Sequence, residues 1–228
     1  MNSSKISLFS KGILLIVSAL FFGSLFFPMW RIELEAPQYP EGLVLQLHAD
    51  KIGGDVDVIN GLNHYIGMKT LHTEDFPEFQ ILPYIVGFFG LFALAMVFVA
   101  KQKGVILLLA SFVLFGVLAG VDFYRWNYEY GHNLDPNAAI VVPGMAYQPP
   151  LIGYKQLLNF GAYSIPDIGG WMMVAAGLLL FTIVLKETKF LNKFRKQKIQ
   201  PALFLLLSLV FFSCSNKNAV PIKLNVDN

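Results

Sequence analysis

The sequence predicts an all-α integral membrane protein: four transmembrane helices, two long extracytoplasmic loops and a C-terminal hydrophobic segment like a lipoprotein signal. Three observations lead there. Apolar residues make up 55% of the 228 positions and charged residues only 14%, about half the usual charged fraction of a soluble domain. Four apolar runs without an internal ionisable residue fall at intervals along the chain. Lys and Arg cluster in every second segment between those runs, which puts them on one side of the membrane, as the positive-inside rule requires.

The first run begins at Gly12, is closed by Pro28 and is extended by Met29 and Trp30, which gives a helix over about 12–30. The second covers 81–100 and the third 104–121, with Asp122 just past its end. The fourth, 168–185, opens with Gly169, Gly170 and Trp171, an indole suited to a membrane interface. Each reaches or approaches the roughly 20 residues a bilayer core requires.

Ten basic residues, from Lys5 and Lys11 through Lys101 and Lys103 to Lys186–Lys198, lie on one side by helix alternation, joined there by Glu187 alone among the acids. That side is expected to be cytoplasmic, which places the long loops of a bacterial inner-membrane protein in the periplasm. The loops, 28–80 and 122–167, hold five basic and thirteen acidic residues, a net −8 that attracts cations. Loops of this length are long for mere connections, so function is expected in them. Within the first, Leu43–Leu47 alternates as a strand would, 50–60 with Gly53 and Gly54 reads as a turn, and Asn60 is placed to cap a helix over 61–72.

The C-terminal region divides the chain into a membrane domain, 1–192, a signal-like segment, 193–213, and a short disordered tail, 214–228. A basic flank, the 12-residue apolar run Pro201–Phe212 and Ser213 before Cys214 form the pattern of a bacterial lipoprotein signal, with Cys214 as the lipidation site. Phe212 stands where a smaller residue is preferred, and a short fifth hydrophobic helix is the alternative reading.

Several function classes are excluded. A net charge of +2 without a basic stripe argues against nucleic acid. A single Cys rules out an internal disulfide framework and a Cys-ligated cluster. None of the four transmembrane runs contains His, so a membrane haem has no axial ligand, and no GxSxG, HExxH or Walker motif occurs. No catalytic residue is expected. Asp122, Arg125, Glu129 and His132 recur at helical spacing and read as a structural polar network anchored by Arg125.

All four histidines lie in the outer loops. His64, Met68 and His72, four residues apart, would share a stripe within roughly 80° on a helix. Imidazole and thioether together suit copper, with thioether favouring Cu(I). At about 1.5 Å per residue the two histidines are roughly 12 Å apart, so a site would pair Met68 with one of them and borrow from Met145, His132 or His48. The alternative is an ordinary interfacial helix.

Two resemblances bear on function. The tail from Cys214 resembles the opening of the NosL family of lipoprotein copper chaperones of nitrous oxide reductase: Pro221-Ile222 and Asp227 follow the acylated Cys, although the chain stops before the family's Cys-x-x-Cys-x-Met motif. This implies a membrane protein joined to the front of such a chaperone, without its ligands. The runs HADKIGGDVDVINGLNHYIGMKTLH and YGHNLDPNAAIVVPGMAYQPPLIGYKQLLNFGAYSIPDIGGW look like a small membrane protein of Bacteroidetes-type bacteria associated with gene clusters for nitrous oxide reductase. The resemblances imply a non-catalytic accessory role in copper supply to that reductase or in its assembly, with outer loops that fold together. A metal-free membrane scaffold or recruitment subunit, and a membrane electron-transfer subunit, are the rival readings.

Overall fold

The computed structural model describes residues 5–157 and 159–188. The signal-like segment, Cys214 and the tail lie outside the described residues. The elements run α1 (Leu8–Ser24), β1 (Trp30–Ala36), β2 (Tyr39–Leu47), β3 (Ile52–Gly54), α2 (Val56–Ile66), a 3-10 turn (Thr73–Asp75), α3 (Glu78–Val99), α4 (Gln102–His132), β4 (Gly153–Leu157), β5 (Phe160–Pro166) and α5 (Ile168–Glu187).

The chain is therefore not all-α. The two long loops build an antiparallel five-stranded sheet in the order β3-β2-β1-β5-β4. Among the described residues three helices, α3, α4 and α5, are long and apolar enough to cross a membrane, rather than four. The first apolar run forms a helix that stops at Ser24, not near residue 30, because Trp30 already belongs to β1. At 1.5 Å per residue its 17 residues span about 25 Å, short of a ~30 Å hydrocarbon core.

The four apolar helices pack through one core. Leu14, Val17 and Phe21 of α1 meet Phe89, Ala93 and Met96 of α3 and Ala176, Leu180 and Ile183 of α5, all buried. The Phe21 ring lies 5.8 Å from Phe89 and 5.0 Å from Phe112, and Ser18 donates to the Gly90 carbonyl at 2.9 Å. An open groove separates the upper parts of α3 and α4, lined by Ile81, Leu82, Ile85, Phe115 and Gly116.

The basic end of the bundle is tied by polar contacts. The Glu187 carboxylate accepts from the Ser7 amide and hydroxyl and from the Ser10 hydroxyl. The Ile6 amide donates to the Ala100 carbonyl, and Lys186 Nζ sits 4.0 Å over the Phe9 ring. At the opposite end the Gly169 amide donates to the Pro28 carbonyl, so α1 runs beside α5 from one end to the other.

Above that end, Trp30, Ile32 and Leu34 alternate with Arg31, Glu33 and Glu35, the period-two pattern of a half-buried strand. Ile32 pairs with Leu45 and Leu34 with Leu43 across β1 and β2. On its other edge β1 pairs with β5, from Trp30–Pro166 to Glu35–Gly161, which joins two long loops that are far apart in sequence. The expected strand at Leu43–Leu47 falls inside β2, whereas the expected turn over 50–60 contains β3 and the start of α2.

The helix expected over 61–72 is displaced toward the N-terminus. It starts at Val56, with Asp55 at its cap, and Asn60 lies within it. Ile59 faces the sheet core formed by Ile32, Leu43, Leu45, Leu71 and Tyr130. The helix ends because Gly67 takes a left-handed conformation, φ 79°, which L side chains rarely adopt. Rather than capping a helix, the Asn60 side chain donates to the Leu71 carbonyl at 3.0 Å and accepts from the Leu71 amide at 2.7 Å. It thus holds the segment after α2 as a paired strand would.

Candidate functional site

α4 is 31 residues long, about 46 Å against a ~30 Å bilayer core. Its last turns, from Asp122 onward, therefore stand beyond the apolar part and meet the sheet. An aromatic stripe marks this extension. Phe123 stacks on Trp126 at 5.9 Å, Trp126 lies 5.0 Å from Tyr130, and Phe76 contacts both Trp126 and Tyr130. Trp30 of β1 joins it through Phe123 at 5.4 Å and donates its indole N–H to Ser164 of β5 at 2.8 Å.

Between the sheet, α2 and this end of α4 lies a cavity of about 440 Å³. Ile32, Leu45, Ile59, Met68 and Leu71 supply apolar walls, and Trp126, Asn127 and Tyr130 come from α4. Ile140, Tyr147 and Pro149, from the connection between α4 and β4, also line it. That connection is held down by three backbone hydrogen bonds: Asp135 donates to Gly67, Ile140 to Tyr65 and Tyr147 to Gly131. Gly131 is required by this packing, because a Cβ there would lie 2.5 Å from Gln148 Cα and 2.6 Å from its N.

Among the described residues, no Asp, Glu, Lys, Arg or His lines the cavity. Its polar atoms are few and incompletely satisfied. Asn127 is 1% exposed, and neither its amide nitrogen nor its oxygen has a hydrogen-bond partner among the described residues. The hydroxyl of Tyr147, 2% exposed, is likewise unpartnered there. Burial pushes the Tyr130 hydroxyl above its ordinary range, and the Asp75 charge adds to this.

The expected copper ligands do not share one surface. His64 is exposed on the last turn of α2, with its ring 6.2 Å from Tyr65. Met68 lies past the helix end and lines the cavity. His72 is exposed beside Thr70, ring nitrogen to hydroxyl 3.1 Å, and lines the groove on the other side with His48. The single helical stripe through His64, Met68 and His72 therefore does not form, since Gly67 ends α2 between the first two. His132 stacks on Tyr128 at 4.0 Å and bonds to its carbonyl. Met145 is half-buried in the connection between α4 and β4. Among the described residues no group of three or more His, Cys, Asp or Glu could hold a metal ion.

The polar network on α4 also differs from expectation. Glu129 pairs with Lys69 at 3.0 Å and accepts from Asn133 at 2.9 Å, and it is Lys69 rather than Arg125 that supplies the cation. The hydrogen bond from Asn133, then that from Lys69 and its charge, hold the Glu129 carboxyl below the ordinary carboxylate range. Both partners are about half exposed, so water screens the pair and its loss would change stability little.

Sequence reasoning missed Asn127 and Tyr147. A signal for the first existed: Phe123, Trp126 and Tyr130 recur at helical spacing past Asp122, and Asn127 and Gly131 are one turn apart beside that stripe. No family model matches the chain, and neither a curated protein nor a solved structure matches it.

Proposed function

We propose that this chain is a non-catalytic accessory protein of the bacterial inner membrane that presents a preformed outer platform for recruiting a partner. The observation that carries this reading is the sheet itself. Strands from both outer loops are fused through β1 and β5 and rooted at the ends of α1 and α5, which fixes the platform on the membrane anchor. Its edge strands, β3 and β4, are short, and among the described residues no constellation of nucleophile and base accompanies them.

The link to nitrous oxide reductase is supported by the sequence resemblances alone. Recruitment rather than copper hand-off is the form the geometry supports best, because His64, Met68 and His72 occupy separate surfaces. The test is genetic. Deleting the gene in a native host that makes the reductase should lower nitrous oxide reduction, and a chain carrying His64→Ala, Met68→Leu and His72→Ala together should restore it. Loss of rescue by that folded triple variant would favour metal hand-off. No effect of deletion would overturn the accessory assignment.

The orientation has its own expected result. With Cys214→Ser as background, Asp57→Cys and Ala139→Cys, both at exposed positions of the sheet end, should react with a membrane-impermeant maleimide in intact cells with permeabilised outer membranes. Lys103→Cys, at the basic end, should react only after the inner membrane is opened. The reverse pattern would invert the platform.

A further inference from the structure

The cavity beneath the connection between α4 and β4 combines two properties that rarely occur together without a ligand. Its walls are mostly apolar, with the amides of Gln38, Asn63 and Asn159 also on the lining, yet it contains a buried carboxamide with both donor and acceptor unpartnered among the described residues. Leaving such groups unpartnered carries their full desolvation penalty, and buried polar atoms are otherwise almost always satisfied. At ~30 Å³ per water-sized group the space admits roughly ten to fifteen heavy atoms, the lower range of ligand pockets. Tyr65 and Ile140 at the cavity are more than half-exposed and half-exposed respectively, and provide the side from which a guest would enter.

The lining decides the guest's charge. With no ionisable carboxylate, ammonium, guanidinium or imidazole among the described residues of the wall, a charged head group would be desolvated without compensation. The guest is therefore neutral. Asn127 offers a donor and an acceptor side by side, which a primary amide matches with an acceptor and a donor of its own. The peptide N–H of Tyr147 bonds to Gly131, one helical turn from Asn127 on the same face of α4, which brings the tyrosine to this end of the cavity.

We propose that this cavity binds a small neutral amphiphile of the medium-chain alkyl amide class. Its hydrocarbon lies against Ile32, Leu45, Ile59 and Leu71, and its carboxamide pairs with Asn127, with Tyr147 completing the polar contact. This assignment concerns a small-molecule site and does not depend on the recruited partner.

The test uses the full chain in lipid nanodiscs, with empty nanodiscs as the blank and octanamide, octanoate and octylammonium as probes at pH 8. Calorimetry should detect saturable 1:1 binding of octanamide, with both charged analogues at least about tenfold weaker. Asn127→Leu keeps the branched shape and removes both polar atoms; it should weaken octanamide by at least about tenfold, the size of one lost hydrogen-bond pair, while raising the melting temperature of the unliganded protein. Tyr147→Phe should weaken binding by a smaller factor. Absence of saturable octanamide binding to the folded parent, equal binding of octanoate, or unchanged binding in folded Asn127→Leu would each overturn the proposal. The comparison of the three probes on the parent decides the charge requirement even if a variant fails to fold.

Discussion

Phe21→Ala is expected to be the most damaging truncation in the helix bundle, at about 3–5 kcal/mol. Phe21 is fully buried and touches the rings of Phe89 and Phe112, so its removal opens a void at the junction of three helices. In a bilayer there is no aqueous transfer term between helices, and the loss is one of packing. The same change at Phe26, which is 81% exposed, should be nearly silent. Thermal unfolding of both variants in identical nanodiscs separates the two positions, and equal shifts would contradict the packing described.

Gly131→Ala is the second. Its new methyl would collide with the backbone of Gln148 rather than with a movable side chain, and overpacking of this kind costs about 1–3 kcal/mol. The connection should lift from the end of α4 and lose the Tyr147–Gly131 hydrogen bond. Gly116→Ala offers the opposite sign. It also lies in α4 but its Cβ would meet nothing within 4 Å, so the helix should gain the roughly 0.5–1 kcal/mol that alanine holds over glycine. Faster proteolysis at 138–150 in Gly131→Ala, and none in Gly116→Ala, would report the loosening directly.

The apolar helices were legible because each is a long run with charges only at its ends, a signal that survives any tertiary context. The strands were harder for separate reasons. β1 alternates clearly from Trp30 to Leu34, but it follows the first apolar run so closely that Trp30 and Met29 read as its continuation. β3 is three residues long, too short for any period. The hairpin of β4 and β5 is masked by prolines and glycines on both sides. α2 does carry a helical spacing through Val56, Ile59 and Ile66, yet Gly61 in its middle and Asn60 before it imitate a helix start.

The expected helical stripe did not form for a related reason. Placing Met68 and His64 together presumed that α2 continues through Gly67, where the backbone instead turns left-handed. Asn127 and Tyr147 come from segments that only the tertiary fold brings together, so no local pattern could join them.

Pairing β1 with β5 also sets an order of events during biosynthesis. The strands of the first loop can form their hairpin once that loop has emerged, but the inner edge of β1 has no neighbour until residues 160–166 follow, after both α3 and α4 have been made. In that interval a row of unsatisfied peptide groups is available to any extended chain nearby. Contacts so distant in sequence form slowly. The central strand of the platform is therefore the point at which a nascent chain is open to wrong pairing, and emergence of the final loop is the step that removes the hazard.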